Sequence, residues 1–219
     1  MGIDGENLKH VYESWGKQDL VKAVTIDKKN YEPSAIDIMK KELQKRGVSN
    51  QDLATFQDSY SSEKSQSAEF YYNRGITYYK KGQYDQAILD YTKALEINPR
   101  HAKAYCNRGV AYGEKGIHDQ AISDFNNALE IDPRYAEAYY NRGVAYREKG
   151  QYDQAISDYT KALEINPRHA GAYYDRGVAY YFKREYEKSW KNVKKAQSLG
   201  DQIHPEFLDN LRKASGRQN

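Results

Sequence analysis

A stretch of 34 residues that begins at Ala68 returns without a gap from Ala102, Ala136 and Ala170, and no other feature constrains the fold as strongly. Residues 82 to 102 and 150 to 170 differ at a single position, Leu89 against Ser157. A repeat of this length is one supersecondary unit that cannot bury its apolar face alone, so copies must stack and share a continuous core. The chain is therefore expected to be an array rather than a globule built around one pocket.

Each unit is punctuated as two helices. The first stops at Gly82, Gly116 or Gly150, where a left-handed cap suits glycine. The second opens on Asp85, Asp119 or Asp153 and closes at Asn98-Pro99, Asp132-Pro133 or Asn166-Pro167. Helical spacing puts Tyr71, Gly75 and Tyr78 on one face of the first helix, and Ala87, Ile88, Tyr91, Ala94 and Leu95 on one face of the second. Small residues at Gly75, Ala87 and Ala94 let such helices approach closely.

These residues give the chain a resemblance to tetratricopeptide repeat (TPR) proteins. The family pattern is carried by Tyr71, Gly75, Tyr78, Ala87, Tyr91, Ala94 and Pro99, and again by Tyr105, Gly109, Tyr112, Ala121, Phe125, Ala128 and Pro133. The third unit has Tyr139, Gly143, Tyr146, Ala155, Tyr159, Ala162 and Pro167. The fourth keeps Tyr173, Gly177, Tyr180 and Ala196 but has Ser189, Val193 and Asp201 where alanine, an aromatic and proline are expected. The resemblance implies an all-α, right-handed superhelical solenoid of antiparallel helix pairs. Its units are residues 68–101, 102–135, 136–169 and 170–203.

Residues 1 to 60 do not follow the repeat and are read as an N-terminal helical region. Helices are expected over residues 8 to 15, over 19 to 28, from Pro33 to before Gly47, and from 51 to about 60 behind a capping box of Ser49 and Asp52. Residues 61 to 67, SSEKSQS, are polar enough to be read as a linker. Residues 204 to 219 are expected to form a capping helix, in which Phe207, Leu208 and Leu211 cover the open face of the fourth unit, and a frayed tail from Ser215.

In TPR proteins the second, sixth, ninth and thirteenth places of the first helix look into a concave groove where extended peptides lie. Here the sixth place carries Asn73, Asn107, Asn141 and Asp175, flanked by Tyr72, Tyr140 and Tyr174, with Cys106 in the equivalent place of the second unit and Phe182 at the far end. Asparagine offers donor and acceptor together, which suits a peptide backbone whatever its side chains. Each such bond contributes only about 0.5 to 1.5 kcal/mol net, so side-chain anchors on the aromatic residues must add to it. A partner protein held through an extended segment is the expected ligand, and a self-associating scaffold without a groove ligand is the alternative. The family's carboxylate clamp for chaperone tails finds only Asn107 in place, because Tyr72, Ile76, Glu137 and Asn141 stand where it needs other residues.

The neighbouring arginines read differently. Arg74, Arg108 and Arg142 sit beside the buried tyrosines, and a charge there needs a partner. Asp90, Asp124 and Asp158 follow 16 residues on, so structural ion pairs are expected in the first three units. In the fourth, Asn192 takes the aspartate's place and leaves Arg176 free for a ligand or another acid.

Composition excludes more than it assigns. The net charge of +3 is spread along the chain, which supports neither a nucleic-acid nor a membrane partner. One cysteine cannot form an internal disulfide, the start lacks a secretion signal, and no apolar run approaches membrane-spanning length, so a cytoplasmic location is expected. The five histidines are scattered, Cys106 has no histidine partner, and no phosphate loop appears. No catalysis, metal or cofactor is expected.

Overall fold

The computed structural model describes residues 12, 13, 15 to 25, 31 and 33 to 217. The chain divides into two compact units, Met1–Gln66 and Ser67–Asn219. Among the described residues all regular structure is helical: α1 (Lys17–Thr25), α2 (Pro33–Lys45), α3 (Asn50–Lys80), α4 (Tyr84–Ile97), α5 (Ala102–Glu114), α6 (His118–Ile131), α7 (Ala136–Glu148), α8 (Tyr152–Ile165), α9 (Ala170–Phe182), α10 (Tyr186–Ser198) and α11 (Pro205–Ser215).

The N-terminal unit has a core of its own. Leu20, Val24, Met39 and Leu43 are buried together, with Trp15, Ile36, Leu53 and Phe56 packed around them. Arg46 donates to the carbonyls of Trp15 (2.6 Å), Glu13 (2.8 Å) and Tyr12 (3.3 Å), tying the end of α2 to the chain ahead of α1. The capping box forms as a reciprocal pair: Ser49 N donates to Asp52 Oδ2 at 2.8 Å, and Asp52 N to Ser49 Oγ at 3.1 Å. The helix expected over 8 to 15 lies mostly outside the described residues, as do positions 26 to 28 of the next one.

The expected linker at 61 to 67 is not a break in secondary structure. Those residues are helical, within the 31-residue α3. Between Val48 and Arg74 there is neither glycine nor proline. Serine, glutamine, glutamate and lysine are tolerated in a helix as well as in a linker, so polarity alone does not distinguish the two.

In the second unit, helices pair as antiparallel hairpins. Ala87, Ala94, Ala121, Ala128, Ala155 and Ala162 are fully buried where helices cross. On the partner helices, Gly75, Gly109 and Gly143 lie under the rings of Tyr91, Phe125 and Tyr159; a β-carbon would meet those rings at 2.6, 2.8 and 2.7 Å. Each ring thus packs directly on a helix backbone, and its burial stabilises the unit by roughly 2 to 3 kcal/mol. The first three hairpin turns use Gly82, Gly116 and Gly150 at φ near +70°, whereas the fourth forces Arg184 to φ 62°.

The last hairpin is covered by α11. Leu211 is fully buried against Trp190 and Val193, with Phe207 and Leu208 alongside. Trp190 Nε1 donates to Ser215 Oγ at 3.0 Å, and Arg217 pairs with Glu187 at 2.5 Å. The segment after Ser215 is therefore not frayed as expected: a left-handed cap at Gly216 and an ion pair hold it as far as Arg217.

Candidate functional site

The arginines form a periodic clamp. Arg74 donates to Asp90 through Nε (2.6 Å) and Nη2 (2.7 Å), Arg108 to Asp124 (2.8 and 2.7 Å), and Arg142 to Asp158 (2.7 and 2.7 Å). From the second unit onward, Nη1 reaches the preceding hairpin 16 residues back: Arg108 to Thr92 (2.9 Å), Arg142 to Asn126 (2.6 Å) and Arg176 to Thr160 (2.9 Å). Each guanidinium also lies 5.2 to 5.6 Å from the ring centre of Tyr71, Tyr105, Tyr139 or Tyr173. One side chain thus ties its own hairpin together and fastens it to the one before. The bidentate pairs with buried aspartates place these residues in the framework.

The asparagine stripe is less free than the sequence suggests. Asn73 is exposed and turned to Glu69 at 3.2 Å. Asn107 Nδ2 donates to the Tyr72 hydroxyl at 3.2 Å, and Asn141 Nδ2 lies 4.0 Å from Cys106 Sγ, so both amides are partly engaged across a junction between units. Tyr72 and Tyr140 pack on His101 and His169, with ring centres 4.6 and 4.5 Å apart, and Tyr174 packs on Phe207 at 5.7 Å. They act as spacers between hairpins. Phe182 is exposed and stacked on Tyr152.

Asp175 is the clearest correction. It is only 6% exposed, takes the Tyr140 hydroxyl at 2.8 Å, and pairs with Arg147. A ligand would meet no free carboxylate there. The physical reason is Arg147, whose place in the first and fourth units holds Tyr79 and Tyr181: a cation at that register recruits the acid inward.

One register earlier the same space is open. A cavity of about 270 Å³ lies between α5 and α7, walled by Val110, Phe125, Val144 and Ala145, with Glu114, Asn141 and Glu148 at its edge. Val110, Glu114, Asn141, Val144 and Glu148 all belong to the stripe of second, sixth, ninth and thirteenth places. Two substitutions create the opening. Gly113 stands where the other units carry Tyr79, Arg147 and Tyr181, and a β-carbon there would touch nothing within 4 Å. His118 stands where they carry Tyr84, Tyr152 and Tyr186, and its Nδ1 is buried without a hydrogen-bond partner among the described residues. Neither residue marks itself as part of a site within its own unit, although aligning the four units column by column exposes both.

Among the described residues, no group of three or more His, Cys, Asp or Glu side chains is placed to hold a metal ion, and no helix is long and apolar enough to cross a membrane. Stacked helical hairpins crossed by a stripe of mixed polarity define a helical-repeat solenoid of the protein-interaction class. The tetratricopeptide repeat model matches residues 68–101, 102–135 and 136–169, and a second model of the repeat matches 158–191; the chain belongs to the tetratricopeptide repeat family. It is similar to the crystal structure of MamA, with 31% identity over 60% of this chain and 77% of that one at a TM-score of 0.58. The TPR domain of Arabidopsis OM64 is 30% identical over 54% of this chain and 98% of that one, TM-score 0.53. A thermophilic TPR protein of Thermus thermophilus is 27% identical over 68% of this chain and 84% of that one, TM-score 0.57. A search of curated protein sequences returned no match.

Proposed function

We propose that this chain is a non-enzymatic binding module that holds an extended peptide segment of a partner protein along the stripe, with one peptide side chain seated in the cavity between α5 and α7. The observation that carries this reading is the cavity itself: it opens among five stripe residues, with His118 in its wall in place of the tyrosine of the other units. Apolar walls edged by Glu114, Asn141 and Glu148 suit a side chain with an aliphatic stem and a polar tip. Seating such a stem against Val110, Phe125 and Val144 would contribute about 2 kcal/mol. Asn107 and Asn141 keep their amide oxygens for the peptide backbone, and exposed Asn73 extends the track.

The test is selection from a phage-displayed random peptide library on the purified full chain, followed by affinity measurement for the enriched peptide. Gly113→Tyr fills the cavity with the side chain that the first and fourth units carry, so the fold should tolerate it. Enriched peptides should share a motif, and the variant should bind them at least tenfold more weakly, roughly 1.4 kcal/mol. Equal binding by wild type and variant would overturn the reading. Light scattering over a concentration series completes it: constant mass is expected, and mass that grows with concentration while no peptide is enriched would favour a self-associating scaffold.

A further inference from the structure

The repeat units act as controls for one another, and the second helix of the fourth departs from its sisters in one direction. Helix α8 carries Lys161 against Asp153, Asp158 and Glu164, a net charge of −2. Its counterpart α10 carries Lys188, Lys191, Lys194 and Lys195 against Glu187, a net charge of +3. Column by column, Gln154 becomes Lys188, Ser157 becomes Lys191, Asp158 becomes Asn192, Thr160 becomes Lys194 and Glu164 becomes Ser198. Every one of these changes adds positive charge or removes negative charge. Solubility of a terminal unit calls for polarity but not for one sign of charge, whereas a surface meeting an acid calls for positive charge.

The geometry at the centre of this face is unfinished in the same sense. Arg176 keeps the clamp position, donating through Nε to Asn192 Oδ1 at 2.9 Å and through Nη1 to Thr160 Oγ1 at 2.9 Å. In the first three units Nη2 is bound by an aspartate oxygen; in the fourth, Nη2 has no partner among the described residues. Burial without a neighbouring acid holds this guanidinium below the usual arginine range. The guanidinium opens on a cleft of about 850 Å³, whose rim includes Lys191, Lys194 and Lys195, each exposed and, among the described residues, without an acidic partner. Lys188 lies beside them, paired with Glu185 at 2.6 Å.

We propose that this cleft between α9 and α10 is a second ligand site, which binds an acidic peptide segment: one side-chain carboxylate docks on Arg176 Nη2 and further carboxylates lie along Lys191, Lys194 and Lys195. Carboxylate is the assigned chemistry because in each of the three sister units Nη2 of the equivalent arginine donates to a carboxylate, that of Asp90, Asp124 or Asp158. A peptide is the assigned carrier because the cleft exceeds what one carboxylate needs and is edged by several cations. The site is distinct from the groove. Tyr173, Arg176 and Tyr180 line it from one face of α9, while Gly171, Asp175, Val178 and Phe182 occupy the opposite face.

Fluorescence anisotropy of a fluorescein-labelled octaglutamate peptide, titrated with the full chain at low salt, tests the proposal. Saturable binding is expected, with none for octaglutamine. Asn192→Asp restores the residue of the sister units and occupies Nη2, so it should weaken octaglutamate binding about tenfold while raising the melting temperature. Lys191→Ser combined with Lys194→Thr installs third-unit residues and should also weaken binding about tenfold. Gly113→Tyr should leave it unchanged, which separates this site from the groove. Absence of saturable octaglutamate binding would overturn the proposal, as would an Asn192→Asp variant that binds like wild type. An oligothymidylate of equal charge that binds as tightly as octaglutamate would overturn the carboxylate assignment.

Discussion

At the junction of the second and third units Asn141 faces Cys106; one period later Asp175 faces Tyr140. The repeat is the same, but the later junction closes around Arg147, which pairs with Asp175 and donates to Glu148 at 2.7 Å, while Tyr152 and Phe182 stack 5.1 Å apart. At the earlier junction Gly113 and His118 replace the arginine and tyrosine, and a cavity of about 270 Å³ remains. The first junction resembles the third, since Tyr79 fills the space and its hydroxyl reaches Glu114 at 3.3 Å. A repeat array can therefore keep its stacking while one junction gives up packing. In a stack stabilised by nearest-neighbour interfaces, the loss stays local to the interface that bears it.

The largest effect should come from breaking the filled junction. Asp175→Ala removes the buried acid and leaves the Arg147 guanidinium, 22% exposed, with only the half-exposed Glu148 at 2.7 Å, and chemical denaturation should show a loss of about 2 kcal/mol. The matching change in the hollow junction, Asn141→Ala, removes one weak contact and should cost under about 1 kcal/mol. Equal losses would mean that the buried pair is not what holds the third junction. A smaller effect tests whether the difference can be moved. Gly113→Arg with Asn141→Asp rebuilds the arginine and its acid one register earlier, where Glu114 already occupies the place of Glu148. A double-mutant cycle should give a favourable coupling of about 1 to 2 kcal/mol, with the peptide of the groove no longer bound. A coupling near zero would show that Tyr140, which Cys106 cannot imitate, is needed to orient the carboxylate.

The period, the turn glycines and the terminal Pro205 helix are legible in the sequence because each is a local pattern with one structural solution. The Arg74 to Asp90 spacing is equally visible, but the second arm of each clamp is not. Arg108 reaches Thr92 only because its helix lies against the second helix of the preceding unit, a fact of stacking rather than of spacing. Asp175 reads as one more stripe residue for the same reason: Arg147, which draws it inward, lies 28 residues away in the preceding unit, and helical periodicity within one unit does not pair them. The cavity is hidden differently. It is made by a missing side chain at Gly113, whereas periodicity registers the side chains that are present. In residues 61 to 67 polarity speaks for a linker, while the absence of glycine and proline is the weightier sign, because nothing there stops a helix.

The smallest effect concerns Cys106, at the hollow junction in the place where the third unit has Tyr140. It is 2% exposed, and burial pushes its thiol up to about 11. Burial also raises the hydroxyl of Tyr135, which packs in the same cluster. A raised pKa means that the folded state favours the neutral thiol. The resulting stabilisation is fully present below the ordinary thiol pKa and is lost as pH rises from there toward 11. With the single cysteine carrying carbon-13 at Cβ, its resonance in the folded chain should stay unshifted below about pH 10, whereas the unfolded chain should titrate near roughly 8.5. The stability of wild type relative to Cys106→Ala should fall across the same window. A native resonance that titrates in the ordinary thiol range would show that water reaches the thiol, and that the second junction is open to solvent beyond its cavity.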